Sequence, residues 1–421
     1  MFDSALREAA AAMAEELSSA LALPPSADPG DDYSPTSPRW CDQSLSKGAA
    51  GVAILHGLRT QHGLEGQKSV HAWLACATRD DLSAGPGAGL WFGAPAVAFA
   101  LATAAPGHYT GAMARLDAGV TQLASTRLEA AHRRIDQRLR ASPNEFDLVR
   151  GLTGLGAYLL TRAPDGDLIR RVLDYLVRLT EPVAAADDAG PRAPGWWTAD
   201  IPSGPHDPRF AAGHANLGMA HGIAGPLALL ALSARRGVMV PGHTAAIGTI
   251  CRWLDAWRHT APAGPWWPER ITLDELRTGR SLQDGPARPS WCYGTPGLAR
   301  AQQLAALAVG DLKRQQAAED ALTRCLADDA QLTRISDPAL CHGWAGLVAT
   351  AWHAAHDAAT PALAAHLPPL LEKLLLRAGD ASPGALPGLI EGSAGVALVL
   401  HTLASGETVT PGGWSACLLL N

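Results

Sequence analysis

Two cysteines and one histidine occupy matching places in a repeated glycine turn. Cys292 opens one turn of the form Gly-x-x-Gly, and the adjacent pair Cys341 and His342 opens another. Two thiolates and one imidazole make a three-ligand zinc set whose fourth position is open. A structural zinc site is normally closed by protein ligands, so an open one indicates chemistry on a substrate. The sequence therefore predicts one zinc ion per chain, held by these three residues.

Other residues near these turns suit work on a thiol. A thiol bound to such a zinc ion would be deprotonated at neutral pH, and sulfur-rich ligation would leave it nucleophilic. His221 and Tyr293 each carry a transferable proton and suit general acid or base work. Asp147 could orient His221 through a hydrogen bond, and Arg288 could offset negative charge at the metal. From these residue types we expect zinc-assisted alkylation of a thiol.

Each of these residues also has a simpler structural explanation. Cys292 and Cys341 could be buried cysteines that act as small hydrophobic side chains. His221 could be a core histidine, Asp147 a helix cap ahead of an apolar run, and Arg288 a solvated loop residue. The histidine beside Cys341, and the recurrence of both thiols at repeat turns, favour the metal site for the three ligands.

The glycine turn is part of a longer repeat. The frame Gly-x-x-Gly, followed by small apolar residues, begins at Gly48, Gly151, Gly222, Gly294, Gly343 and Gly392. A seventh copy begins at Gly93, with alanine in place of the second glycine. Each interval has room for about two helices of ordinary length. Seven units of two helices then give fourteen helices.

The helices after the glycines differ from the segments between them. Segment 394–400 is apolar on more than one face, whereas segment 315–320 has a polar face. A helix that is apolar all round is buried, so we expect an inner ring of helices wrapped by an outer ring. If the turns share one end of the inner ring, the residues beside them converge. These residues are Asp147, Arg150, His221, Cys292, Tyr293, Cys341, His342 and Glu391.

Composition excludes several classes of protein. The chain of 421 residues has a net charge of −6 and no lysine- or arginine-rich run, so nucleic acid is not an expected partner. Seven scattered cysteines, without a signal peptide, favour metal binding or burial over disulfides. The apolar stretches are shorter than the roughly 20 residues that a membrane helix needs. We therefore expect a cytoplasmic protein.

Three separate sequence motifs resemble those of a known family. They are His-Ala-Asn-Leu-Gly-Met-Ala-His-Gly-Ile-Ala-Gly-Pro at 214–226, Trp-Cys-Tyr-Gly at 291–294 and Leu-Cys-His-Gly at 340–343. A fourth motif near the end of the sequence, Leu-Ile-Glu-Gly-Ser-Ala-Gly at 389–395, also matches that family. In this combination and order the chain resembles the lanthionine synthetase C family, the lantibiotic cyclases, from about residue 45 onward.

The resemblance implies a fold that agrees with the repeat count. It is an all-α double α-toroid, an α/α barrel of seven inner and seven outer helices built from seven Gly-x-x-Gly helical-hairpin repeats. Residues 45–421 then form a single cyclase domain, and 1–44 form an N-terminal helix and a Pro-rich segment leading into it. Insertions at 186–213 and 259–289 have room for short hairpins and could face the peptide. They carry tryptophans that look exposed, Trp196, Trp197, Trp266 and Trp267.

The resemblance also implies a reaction, the formation of thioether rings in a precursor peptide. A cysteine thiolate of the peptide binds the zinc and adds to the β-carbon of a dehydroalanine or dehydrobutyrine, which closes a lanthionine or methyllanthionine ring. The resulting enolate is then protonated, with His221 as the first choice of acid and Tyr293 as the second. The zinc ligands of the family match Cys292, Cys341 and His342. Its other site residues match His221, Tyr293, Asp147 and Arg288.

The expected partners follow from the same resemblance. They are a dehydrated precursor peptide with leader and core, a separate dehydratase and an exporter, without nucleic acid or a membrane span. The protein would lie in the cytoplasm, either free or held at the membrane by a biosynthetic complex. One alternative is a relative that adds glutathione or another small thiol to dehydrated residues. Another is a non-catalytic peptide-binding scaffold in a lanthipeptide biosynthetic complex, although binding alone needs no acid, base or metal ligands.

Overall fold

The chain is mostly helical and divides into two compact units. The computed structural model describes residues 1–25, 41–184, 192–200, 207–380, 386–406 and 413–421. Unit 1 comprises Met1–Leu123, Ile335–His356 and Ala364–Trp414. Unit 2 comprises Ala124–Arg334, Asp357–Leu363 and Ser415–Asn421. The predicted boundary between 1–44 and 45–421 stays a prediction, and parts of the Pro-rich segment (26–40) and of the first insertion (186–191 and 201–206) lie outside the described residues.

A helix follows each of the seven glycine frames. These helices are α2 (Ala49–Gln61), α4 (Ala94–Ala104), α7 (Leu152–Arg162), α9 (Ala224–Arg235), α12 (Thr295–Val309), α15 (Trp344–Asp357) and α17 (Ser393–Ser405). Most of their side chains are buried on every face; α9, for example, is buried over its first ten residues. This burial is what their composition requires, because a helix that is apolar all round has no face to offer to water.

The second glycine of the frame is needed because the preceding turn folds back onto the helix. A Cβ added to Gly346 would lie 1.9 Å from the carbonyl oxygen of Leu340, and one added to Gly297 would lie 2.1 Å from that of Trp291. The same close approach to the carbonyl recurs at Gly51, Gly225 and Gly395. No side chain fits against a backbone oxygen at these distances, so glycine fixes the geometry of the turn.

The copy that lacks the second glycine enters its helix through a different contact. Gly93 has a φ of 77°, and a Cβ there would lie 2.3 Å from the carbonyl oxygen of Ser83. The same carbonyl accepts a hydrogen bond from the backbone N–H of Ala94 at 2.8 Å. Pro95 lies in the first turn of α4, where a missing N–H leaves no bond unmade.

A second helix follows six of the glycine-led helices. These are α3 (Gln67–Ala77), α5 (Thr110–Asp136), α8 (Asp167–Arg178), α10 (His243–Ala256), α13 (Leu312–Leu326) and α16 (Leu367–Gly379). The seventh such helix comes from the beginning of the chain, since α1 (Ser4–Ala20) packs against α17 within unit 1. The described residues thus contain the fourteen helices that the repeat predicts. Three short helices lie between them, α6 (Pro143–Phe146), α11 (Leu273–Thr278) and α14 (Asp329–Leu332).

The strands among the described residues form three small antiparallel pairs. They are β1 (Val183–Ala184) with β2 (Arg192–Ala193), β3 (His214–Asn216) with β6 (Arg270–Thr272), and β4 (His259–Ala261) with β5 (Gly264–Trp266). All three lie in or beside the two insertions. Within the described ranges, no helix is both long and apolar enough to cross a membrane.

The expectation of exposed tryptophans in the insertions is wrong. All four rings are at most 6% exposed: Trp196, Trp197, Trp266 and Trp267. The indole N–H of Trp267 donates to the carbonyl oxygen of Leu254 on α10 at 2.9 Å. Proline and glycine around these rings mark irregular backbone, yet the rings lie in the interior, where their large apolar area is removed from water.

Candidate active site

Backbone hydrogen bonds join three glycine turns of unit 2. The N–H of Leu148, in the turn before α7, donates to the carbonyl oxygen of Ala220 at 3.2 Å. The N–H of Met219, in the turn before α9, donates to the carbonyl oxygen of Cys292 at 2.9 Å. Three segments far apart in sequence are therefore held side by side, and each of them carries a predicted site residue.

The glycine turns of unit 1 are joined in the same way. The N–H of Cys341 donates to the carbonyl oxygen of Ile390 at 2.9 Å, and the N–H of Ile390 donates to that of Ser46 at 3.2 Å. The N–H of Leu45 donates in turn to the carbonyl oxygen of Trp91 at 3.2 Å. Within each unit, therefore, the turns share one end of the glycine-led helices.

Asp147 has two functions that the sequence left as alternatives. Its carboxylate is fully buried, and Oδ1 accepts hydrogen bonds from the backbone N–H groups of Arg150 at 2.6 Å and Gly151 at 2.9 Å, which caps the start of α7. The other oxygen, Oδ2, lies 2.7 Å from Nδ1 of His221. A buried carboxylate must have its oxygens satisfied, and here a helix start and an imidazole share that task.

The geometry of this pair determines which atom of His221 can exchange a proton. A carboxylate only accepts hydrogen bonds, so Nδ1 is the protonated nitrogen of the neutral ring and Nε2 carries the free lone pair. The side chain of His221 is 42% exposed, whereas that of Asp147 is 1% exposed. The buried partner fixes the ring, and the ring itself remains accessible to a ligand.

Tyr293 follows Cys292 directly and is held by its neighbours. Its hydroxyl oxygen accepts a hydrogen bond from Nδ2 of Asn216 at 2.8 Å. The guanidinium carbon of Arg270 lies 5.4 Å from the centroid of its ring. Burial raises the pKa of Tyr293 above its usual value of 10.0, against the smaller opposing effects of Arg270 and Asn216. The phenol is therefore protonated near neutral pH.

A cavity of about 830 Å³ opens beside Cys292 and Tyr293 within unit 2. Residues 283–288 of the second insertion form much of its wall, which includes Arg288. Nε of Arg288 is buried and has no hydrogen-bond partner among the described residues. The charged side chains of the wall are of both signs, Glu269, Asp284, Arg288 and Arg334. Such a lining offers hydrogen-bond donors and acceptors to a polar ligand.

Cys292 lies at a glycine turn, whereas Cys251 and Cys325 lie on α10 and α13. Cys292 is 7% exposed, and its sulfur lies 3.6 Å from the hydroxyl of Ser290. Away from the turns, burial raises the pKa of Cys251 to about 11 and that of Cys325 to about 12. Those thiols stay protonated and act as small apolar side chains.

The other two predicted ligands lie in unit 1, directly before α15. Nε2 of His342 is 3.7 Å from a carboxylate oxygen of Asp337, and both side chains are about one third exposed. The second carboxylate oxygen of Asp337 accepts a hydrogen bond from the N–H of Ala339 at 2.9 Å, which fixes its position. Cys292 lies in unit 2, and Cys341 and His342 lie in unit 1. By donor type alone, two thiolates and one imidazole suit a metal ion.

Some residues of the site are absent from the sequence-based set. Asn216, Ser290 and Glu269 contact or line the site within unit 2, and none of them was predicted to do so. Asn216 lies inside the sequence motif at 214–226, so the motif could have indicated that Asn216 belongs to the site. Glu269 reaches the cavity through the β3–β6 pairing, which no local pattern announces.

Comparisons with known proteins agree with the fold and the motifs. The model of the family described as Lanthionine synthetase C-like protein matches residues 39–419. The Nisin biosynthesis protein NisC of Lactococcus lactis subsp. lactis is 24% identical over 214 residues, which is 49% of this chain and 48% of that relative. The chain is thus matched to about half the length of this curated relative.

A solved structure extends the likeness to nearly the whole chain. The structure of a Nisin cyclase superposes with a TM-score of 0.72 over 90% of this chain and 92% of that chain, at 19% identity. This likeness confirms the predicted all-α fold class, the helical toroid. The match of the family model covers most of the sequence. The chain belongs to the lanthionine synthetase C-like family.

Proposed function

We propose that the protein is a zinc-dependent cyclase that forms lanthionine and methyllanthionine rings. It would add cysteine thiols of a precursor peptide to dehydroalanine or dehydrobutyrine residues of the same peptide. The observation that carries this proposal is His221, held by the buried carboxylate of Asp147 and joined through its turn to Cys292. A binding scaffold has no need for an imidazole in this arrangement, and membership of the family supports the same reaction.

Cys292, Cys341 and His342 are the residues that would hold the zinc ion. Two thiolates and one imidazole fit zinc as donors and leave one position for a substrate. Bound zinc would supply Lewis acidity that keeps a thiol deprotonated at neutral pH. A carboxylate that is hydrogen-bonded to a ligating imidazole orients the ring, and Asp337, 3.7 Å from Nε2 of His342, is near enough to take that place after a small shift.

His221 would move the proton of the reaction through Nε2. The neutral ring accepts the proton that the cysteine thiol loses, while Asp147 stabilises the imidazolium at Nδ1. When the carbon–sulfur bond has formed, the imidazolium returns the proton to the α-carbon of the former dehydro residue. The cycle therefore consumes no acid or base. Arg288, on the cavity wall, would stabilise the negative charge that appears on the peptide.

The cavity in unit 2 supports a peptide as the substrate. Its volume of about 830 Å³ is in the range of pockets that hold a ligand of several residues. A dehydrated peptide requires a separate dehydratase to supply it, and the modified product requires an exporter. We place the reaction in the cytoplasm, where the precursor peptide is made, with attachment to the membrane only through such partners.

Metal content tests the proposal most directly. Purified wild type should contain about one zinc per chain, and Cys292→Ala and Cys341→Ala should lose it, because removal of one thiolate opens a three-ligand site. Cys251→Ala is the matched control, since its thiol is buried in α10 and should be exchanged without loss of metal. Wild type without zinc, or both ligand variants with full zinc, would exclude this mechanism.

Ring closure on a dehydrated precursor peptide then separates the three functions. A cyclase should produce thioether rings, which consume free thiols of the peptide without a change of mass. An enzyme that instead joins glutathione to a dehydroalanine peptide, and closes no rings, would be the small-thiol relative. Binding of the precursor by both wild type and His221→Ala, without products from either, would indicate the scaffold.

A further inference from the structure

Asn216 is bound on both sides of its amide group. Oδ1 accepts a hydrogen bond from the backbone N–H of Gly218 at 2.9 Å, and Nδ2 donates to the hydroxyl oxygen of Tyr293 at 2.8 Å. The side chain is 5% exposed. A backbone N–H can only donate, so the oxygen of the amide must face Gly218. Its NH₂ group must then face Tyr293, and this orientation follows from the partners.

This orientation of Asn216 limits the directions in which the hydroxyl proton of Tyr293 can point. Because the phenol oxygen accepts from Asn216, its own O–H bond cannot point at the NH₂ group. The ring has little freedom to turn, since a Cβ at Gly218 would already lie 2.6 Å from its Cε1, and Arg270 lies across its face. The remaining directions include the cavity that Tyr293 lines together with Cys292.

We propose that Asn216 is a positioning residue that turns the hydroxyl proton of Tyr293 toward the cavity. There the hydroxyl donates a hydrogen bond to the carbonyl oxygen of the dehydro residue while that oxygen becomes an enolate. The inference rests on the proposed function and assigns separate roles to Tyr293 and His221. Tyr293 stabilises the oxyanion without losing its proton, and His221 carries the proton that reaches carbon. Donors aimed at a developing oxyanion are among the strongest contributors to catalysis.

Asn216→Asp is the sharpest test, because it changes the chemistry of the side chain and not its shape. A carboxylate would accept the Tyr293 hydroxyl proton and withdraw it from the cavity. We expect kcat for ring closure to fall about 100-fold, as in Tyr293→Phe, with KM and zinc content nearly unchanged. The double variant Asn216→Asp/Tyr293→Phe should be no slower than Tyr293→Phe, because Asn216 acts only through the phenol.

The controls keep a structural role distinct from a positioning role. Asn144→Asp makes the same chemical change at an exposed residue of unit 2 and should retain the wild-type rate. Asn216→Ala removes the donor without adding a charge, and it replaces the aspartate variant if that one does not fold. A wild-type rate in Asn216→Asp, or a further loss when it is added to Tyr293→Phe, would overturn the proposal.

A second readout does not depend on ring formation. The Raman doublet of tyrosine distinguishes a phenol that accepts a hydrogen bond from one that donates. The difference between wild type and Tyr293→Phe isolates this one phenol, and we expect it to change from acceptor to donor in Asn216→Asp. If wild type closes no rings, the proposed function fails, while an unchanged doublet in Asn216→Asp would overturn the role of Asn216 itself.

Discussion

Two pairs of ionisable residues at the glycine turns have opposite environments. In unit 2, Asp147 and His221 are 2.7 Å apart, and the carboxylate is 1% exposed. In unit 1, Lys47 and Glu391 are 4.0 Å apart, with side chains that are 44% and 40% exposed. The backbones of both sets of turns are joined by the same kind of hydrogen bond. Both units thus hold their pairs on the same kind of hydrogen-bonded turn. Burial of one partner distinguishes the candidate catalytic pair from the surface pair.

The residue before the first glycine differs in charge and chemistry from repeat to repeat. This position holds Lys47, Phe92, Arg150, His221, Tyr293, His342 and Glu391. The glycines cannot vary freely because they contact backbone, whereas this position can accept basic, acidic, aromatic and imidazole side chains. A repeated backbone therefore presents different chemistry at each turn, and function depends on the side chains rather than on the fold.

The largest expected effect is at the pair in unit 2. His221→Ala should lower the rate of ring closure by about 10²–10⁴-fold, because the proton carrier is lost. Asp147→Asn should lower it by up to about 10⁴-fold for a different reason. Its oxygen can still cap α7, but its NH₂ group would face Nδ1 and force the wrong tautomer on the ring. Rates on a dehydrated precursor, with zinc content measured in parallel, check both.

Asp167→Asn is the matched control for the aspartate, since it makes the same change at an exposed residue in the first turn of α8. It should leave the rate unchanged. If Asp147→Asn kept the wild-type rate, the buried carboxylate would be a helix cap only, and the contrast between the two pairs would lose its functional meaning.

The second glycines offer a comparison of the two units by stability. A Cβ at Gly51 would lie 2.1 Å from the carbonyl oxygen of Leu45, and one at Gly225 would lie 2.7 Å from that of Met219. Each alanine variant should lower the free energy of unfolding by about 3 kcal/mol, since backbone must move to admit the methyl group. Gly225→Ala should also slow ring closure, because Met219 holds the carbonyl of Cys292.

Denaturant unfolding measures the first effect and the ring-closure rate measures the second. Gly66→Ala is the control, because nothing lies within 4 Å of the added carbon. If Gly51→Ala were as stable as Gly66→Ala, the backbone of the turn would accommodate a methyl group at little cost. The recurrence of glycine in the frame would then need another explanation.

Buried histidines should make both units sensitive to acid. Burial lowers the pKa of His401 in unit 1 to about 4, assisted by His62, whose Nδ1 lies 2.7 Å from its Nε2. Burial beside Arg270 lowers the pKa of His214 in unit 2 to about 4. The unfolded chain binds these protons at its usual pKa of 6.5, so stability is lost as pH falls from 6.5 toward 4.

Each histidine should contribute about 2 kcal/mol to this loss. The melting temperature should therefore depend less steeply on pH in His401→Gln and in His214→Gln than in wild type. His71→Gln, at an exposed histidine of α3, serves as the control. An unaltered pH profile in either buried-site variant would mean that its histidine is protonated in the folded state.

The repeat was predictable from sequence because glycine contacts leave a visible pattern. Six glycine pairs and one altered copy located all seven buried helices, since close contact with backbone favours glycine at most of these positions. The pairing of α1 with α17 was not predictable, because it joins the two ends of the described chain and no motif marks it. The prediction that the tryptophans are exposed was wrong for a related reason, since local composition does not show whether a ring in an insertion faces the core or the solvent.

The site was predictable in part for the same physical reason. Asp147 and His221 could be paired as a hypothesis because both come shortly before glycine turns that converge if they share one end of the inner ring; their hydrogen bond agrees with it. The partners of Tyr293 could not be predicted, because Asn216 and Arg270 reach it through a short strand pair. Contacts that depend on cross-strand register carry little local sequence signal.

The smallest effect is expected at the exposed pair in unit 1. Lys47→Ala and Glu391→Ala should each change the free energy of unfolding by less than about 0.5 kcal/mol, because solvent screens an ion pair of this length and exposure. Ring closure should proceed at the wild-type rate at saturating precursor. A loss of rate in Glu391→Ala without loss of stability would instead make this carboxylate part of the site. The turns of unit 1 would then contribute to the chemistry as well as to the support, and burial would no longer be what distinguishes the two pairs.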